Sequence, residues 1–325
     1  MTQERNLNID LIKIIAMVFV IGLHSIAKYT IDGFNINYYY KHAICGTAIP
    51  LFFIVSGYLL LGRKNIEWNY SLKKIWGIVR FVFVVCWIYW AGRFLLTGEP
   101  LWDKLYKDPL GAFLMGGTFW HFWYFGAMNI IYLVYPLINN IYNEKPKLFN
   151  LIFIGIILTC TVIYIFNIIT PGTLEKRIPQ SLRLWNWFVY FCLGGFIKKN
   201  TKKIRWKWVI FMAIIYGLQL LGAQHINRTM FMADYNYASP ITILYTYCLF
   251  QALNSINTDR ISSYIKLLSP LFLPVYTIHI GLIYPPLKIW MAPVGFLYWI
   301  LTTVISVAVS WLIMQTKPGK WVFRI

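Results

Sequence analysis

Acidic side chains are scarce in this chain of 325 residues: eleven Asp and Glu stand against thirty Lys and Arg, a formal net charge of +19. Charge of either sign is thin, at 13% of residues, whereas 59% are hydrophobic and the mean hydropathy is +0.58. A soluble globular domain is excluded, because apolar runs of 16 to 24 residues recur with only short charged loops between them. The sequence has no Walker A loop, no Rossmann glycine fingerprint, no H-E-x-x-H and no G-x-S-x-G. ATP hydrolysis and metalloprotease chemistry are therefore unsupported, and no metal is expected. Cysteine supplies no framework either: Cys45, Cys86, Cys160, Cys192 and Cys248 lie scattered in apolar runs without a close pair or metal spacing, and read as small core residues. The excess of basic residues does not point to nucleic acid, because most of them sit at the ends of apolar runs, where they set orientation and meet anionic lipid headgroups.

What is present is the pattern of a polytopic membrane protein, all-α, with about ten transmembrane helices in a single domain over residues 1–325. The expected spans are 7–29, 43–61, 75–97, 119–142, 149–170, 184–198, 208–224, 239–254, 266–284 and 294–315. The first is too long for a signal-peptide core and lacks a small-residue cleavage site, so it is expected to remain as a span. With both termini cytoplasmic, the inner segments hold eighteen basic residues and the outer segments nine, as the positive-inside rule requires. The same topology brings His24, His42, His121, His225 and His279 toward the outer compartment.

The first span carries Asp10, Lys13 and His24. On a helix, Lys13 and His24 lie ~20° from eclipsed and ~16 Å apart along the axis, with Asp10 within ~60° of both. An ionisable group inside a span marks a functional path by default. The plainer reading pairs Asp10 with Lys13 at i,i+3 near the membrane surface. A neutral imidazole at His24 suits general-base work near neutral pH. In the second span, Ser56-Gly57 puts two small residues among bulky ones, permitting close approach by another backbone or a narrow ligand. Lys73, Lys74 and Arg80 enter the third span from the cytoplasm and can clamp phosphates, although topogenic charge explains the two lysines equally well. At the outer start of the fourth span, Phe119 to Phe125 forms an aromatic run in which His121 and Trp123 can meet a sugar, or simply belong to an interfacial belt.

Together these residues resemble the membrane-bound acyltransferase-3 family, which includes bacterial O-acetyltransferases acting on surface polysaccharides. The resemblance rests on Lys13-x10-His24, on Phe52-Phe53-Ile54-Val55-Ser56-Gly57-Tyr58-Leu59, on the basic residues leading into the third span, on Trp120 to Phe125, and on the late pair Tyr276 and His279. It covers nearly the whole chain. The family's Arg-x-x-Arg pair is matched only loosely by Lys73, Lys74, Gly77 and Arg80. The resemblance implies acyl transfer, usually of acetyl from cytoplasmic acetyl-CoA, to a hydroxyl of a glycan or lipid-linked sugar, with the histidine of the first span, here His24, as the catalytic one.

The expected enzyme is thus an integral O-acetyltransferase of the bacterial plasma membrane. His24 and His279 form its catalytic pair, Lys13, Lys73, Lys74 and Arg80 bind the donor, and Asp10, Ser56, His121, Trp123 and Tyr276 face the acceptor. The alternative is a transporter or flippase for a lipid-linked glycan or small solute, which intramembrane charge also fits. The absence of an internal repeat and the order of the five motif pieces weigh against it.

Overall fold

A computed structural model describes residues 5–25, 30–31, 34–35, 44–170, 174–226, 236–283 and 295–324. Lys28, Lys41, His42, Arg228 and Lys288 lie outside the described residues, as does the side chain of His225. Apart from a two-residue antiparallel ladder pairing Thr30–Ile31 with Phe34–Asn35, the described elements are helical. They are α1 (Leu7–Ser25), α2 (Ala48–Leu60), α3 (Trp68–Thr97), α4 (Lys104–Phe113), α5 (Trp123–Glu144), α6 (Pro146–Ile169), α7 (Leu184–Lys199), α8 (Trp206–Ile226), α9 (Pro240–Leu253), α10 (Ser262–Leu268), α11 (Phe272–Ile278), α12 (Gly295–Gln315) and α13 (Lys317–Val322).

A helix lies at each of the ten expected segments, but among the described residues five stretches are long and apolar enough to cross a bilayer: Leu7–Ser25, Trp68–Thr97, Pro146–Ile169, Asp259–Gly281 and Phe296–Gln315. Three of the others fall short for a geometric reason. At about 1.5 Å per residue, α2, α7 and α9 reach only about 20–24 Å, against a hydrocarbon thickness of about 30 Å. The third segment starts earlier than expected, at Trp68, so Lys73 and Lys74 belong to the helix. It stops at Gly98, whose left-handed backbone (φ 70°) lets its N–H reach the Phe94 carbonyl. The ninth segment is broken rather than continuous, because Pro270 and Pro274 each remove a backbone donor. It runs as α10, a 3-10 turn (Ser269–Leu271), α11 and a π-helical turn (His279–Ile283).

The chain forms two compact units. The first comprises residues 1–60, 152–174 and 185–311. Its core holds Ile9, Ile12, Phe53, Trp187, Tyr190 and Phe250. Here α1 packs on α2 and on α10 and α11, while α8 packs on α9. The second comprises residues 61–151, 175–184 and 312–325 and is built on α3 against α5, with α4 and α13 beside α3. Phe81 is its centre, its ring meeting those of Phe122, Phe125 and Phe323 at 5.4–5.8 Å. All five cysteines are buried, as small core residues should be.

Candidate active site

In the first unit, two histidines 255 residues apart in sequence meet. Their ring centroids lie 5.6 Å apart, tilted by 37°. His24 is half-buried in the last turn of α1; His279 is fully buried where α11 gives way to the π-turn. Such turns concentrate at functional sites. The His279 ring folds back on its own helix, Nδ1 lying 2.8 Å from the Tyr276 carbonyl oxygen and 3.2 Å from that of Val275. Carbonyls only accept, so Nδ1 carries the proton and Nε2 is the acceptor of the neutral ring. Tyr276 flanks the pair, 5.9 Å from His279, and stacks on Phe272, which in turn contacts Phe52 at 4.9 Å. The first span, the Phe52 motif and the late Tyr276/His279 pair thus converge.

About four turns from His24 along α1, Asp10 accepts from Arg5 Nε at 2.5 Å and from Lys13 Nζ at 3.1 Å. The Arg5 guanidinium also donates to the Ser269 hydroxyl, and Asn8 donates to the Asn254 carbonyl at 2.6 Å. Asp10 is buried, and its carboxylate is taken up by two cations; the i,i+3 pairing is the geometry observed. Ser56 donates to the Phe52 carbonyl of its own helix at 2.9 Å. The small pair it forms with Gly57 serves a backbone contact: a Cβ on Gly57 would stand 1.8 Å from the Phe191 carbonyl oxygen, and one on Gly194 would stand 2.1 Å from that of Ile54. α2 and α7 cross through two glycines.

The remaining expected residues lie in the second unit. Lys73 is exposed and Lys74 half-buried on α3. Arg80 is engaged by the C-terminal segment, its guanidinium over the Trp321 ring at 5.3 Å and donating to the Arg324 carbonyl. His121 and Trp123 are buried, at 2% and 7% exposure, so they belong to the packed interior of this unit and not to an open rim. His121 lies against Phe122 at 4.6 Å. The connection from α3 to α5 frames a cavity of about 520 Å³ beside Trp102, Asp103, Lys104 and Lys107. The Asp103 carboxylate, 3.3 Å away, holds the Lys107 ammonium above its ordinary range. Among the described residues, no cluster of three His, Cys, Asp or Glu side chains is placed to hold a metal.

Sequence reasoning passed over Arg5 and Ser269, whose meeting joins residues 264 apart. It also passed over Gly194, although the Gly194-Gly195 doublet inside an aromatic helix was a readable sign of close crossing. A buried network, in which Gln219 donates to Asn236 at 3.0 Å and accepts from Ser239 at 2.6 Å, had no local sequence signal.

Two amino-acid racemases of Enterococcus faecalis resemble this chain, one 27% identical and the other 22%, each over 224 residues. The matched part is 62% and 63% of this chain but 30% of either relative, so the chain spans less than a third of the length of the curated relatives it matches. No solved structure matches. The profile of the Acyl_transf_3 family, described as an acyltransferase domain, matches residues 6–315, nearly the whole chain, and the chain belongs to the acyltransferase-3 family.

Proposed function

We propose that the protein is a membrane O-acyltransferase of about ten spans with both termini cytoplasmic. It moves acetyl from cytoplasmic acetyl-CoA to a hydroxyl of a cell-surface or lipid-linked glycan. The observation that carries this reading is the His24–His279 pair, 5.6 Å between ring centroids, in a chain of this family. His24 takes the proton from the acceptor hydroxyl; the oxygen attacks the thioester carbonyl, the C–S bond breaks, and the departing thiolate recovers a proton from the imidazolium. His279 is the positioning partner: with Nδ1–H tied to the Tyr276 carbonyl, its Nε2 side is an acceptor that steadies His24 as that ring gains a proton. In the second unit, Lys73 and Lys74 supply positive charge for donor phosphates. Asp10 acts as counter-ion to Lys13 and Arg5 and not as an acceptor contact.

The test is transfer of labelled acetyl from acetyl-CoA in proteoliposomes supplied with surface glycan, comparing the parent with His24→Ala at equal folded amounts. Label reaching glycan only with the parent supports the reading. Equal labelling removes His24 from the chemistry. A parent that labels nothing yet moves glycan across the bilayer is a transporter.

A further inference from the structure

In the second unit, residues 62–68 and the last two turns of α5 enclose a cavity of about 690 Å³, within the range of small-molecule sites. We propose that it binds the adenine nucleotide end of the acyl donor, an inference that rests on the CoA-dependent reading above. The cavity is a built one. Gly62 and Asn65 take left-handed backbone (φ 83° and 52°), turning the loop back over α5. There the Gly62 N–H donates to Asn139 Oδ1 at 2.9 Å, while Asn139 and Asn143 donate to the Arg63 carbonyl at 2.9 and 3.0 Å.

Those two asparagines are explained by the clamp; the rest of the lining is not. The side chains of Lys64, Asn65, Trp68, Asn140 and Glu144 are exposed to the cavity and make no hydrogen bond or ion pair with another described residue. Four chemistries therefore meet: an indole face for stacking a base, carboxamides of the kind that pair with the N6/N7 edge of adenine, an ammonium for a phosphate, and a carboxylate to accept from ribose hydroxyls or an exocyclic amine. A purine nucleotide uses all four at once; a neutral sugar leaves the ammonium idle, and a lipid headgroup leaves the carboxamides idle.

Binding is measured on the full-length protein in detergent by equilibrium dialysis with 3′,5′-ADP, 5′-ADP, ATP and the guanine counterpart of 3′,5′-ADP. The parent and the surface variants Asn140→Leu and Trp68→Ala are compared after their thermal midpoints have been matched. The parent is expected to prefer 3′,5′-ADP, and each variant to bind it about ten-fold more weakly or worse. In proteoliposomes the same variants raise KM for acetyl-CoA with kcat held, and leave KM unchanged for acetyl-4′-phosphopantetheine, which lacks the nucleotide. The proposal is overturned by a parent that does not bind 3′,5′-ADP, by one that prefers ATP or 5′-ADP, by variants that bind as the parent does, or by equal KM shifts for both donors. A parent that binds 3′,5′-ADP through these residues yet transfers acetyl from neither donor upholds the cavity assignment and sinks the acetyl-transfer reading instead.

Discussion

Replacing Gly57 by alanine tests the closest contact in the first unit. The new Cβ would sit 1.8 Å from the Phe191 carbonyl oxygen and 2.8 Å from its carbon, whereas ordinary contact begins at 3.4 Å. α2 and α7 must therefore part by about 1.5 Å along that line, and the obstacle on both sides is backbone, which cannot swing away as a side chain can. Parting them loosens the Phe53–Trp187 stack, now 4.9 Å between centroids with the rings 18° from parallel. A gap of even about 0.5–1 Å already forfeits a quarter to a half of each dispersion well. Overpacking costs about 1–3 kcal/mol, and the upper end applies here, a loss of about 10²-fold in the folded-to-unfolded ratio. The assay is equilibrium unfolding in mixed micelles, with Gly155→Ala and Gly217→Ala as controls. Neither control glycine has any atom within 4 Å of a built Cβ, so each substitution should stabilise its helix by about 0.5–1 kcal/mol. A Gly57→Ala variant within about 0.5 kcal/mol of the parent, or controls as damaged as it is, would refute the crossing as described.

Asn139→Ala strips the Gly62 N–H and the Arg63 carbonyl of a buried partner, so it should cost about 2 kcal/mol and expose the 62–67 loop to limited proteolysis well before the rest of the chain. Trp299→Phe removes the 2.9 Å indole bond to the Val18 carbonyl while keeping a ring beside Gly22; a loss of about 1 kcal/mol is expected, and a neutral variant would mean that α12 is held to α1 by packing alone. Asp10→Asn leaves Arg5 and Lys13 facing each other without their carboxylate. The cost should be about 1–2 kcal/mol, discounted because both cations are partly solvated, and Asp10→Glu should restore part of it; unfolding that ignores both substitutions would remove the triad from the stability of α1. His279→Phe keeps the ring volume but removes both nitrogens, so acetyl transfer should collapse with the fold intact by circular dichroism; undiminished transfer would show His24 working without it.

The difference between what could and could not be read beforehand follows from the range over which each signal acts. Helices at the apolar segments, the shared face of Asp10 and Lys13, and the burial of cysteine are local consequences of side-chain period and hydropathy, and they were legible. The Ser56-Gly57 pair was legible only as an alternative, ligand or backbone, because a missing Cβ announces that something approaches without saying what; it took Gly194, more than a hundred residues away, to decide for backbone. Arg80 and His121 could not be decided from sequence for a related reason. A cation or an imidazole at a membrane boundary is equally suited to a ligand or to a partner in the fold, and Trp321 and the Phe122 ring, both distant or hidden in a run of aromatics, turned out to hold them. His24 and His279 lie in separate apolar segments 255 residues apart, and the fold brings their ring centroids to 5.6 Å. With Nδ1 committed to its own helix, the imidazole turns its other side away from that helix, so the π-turn gives a physical account of how the His279 ring comes to lie against His24.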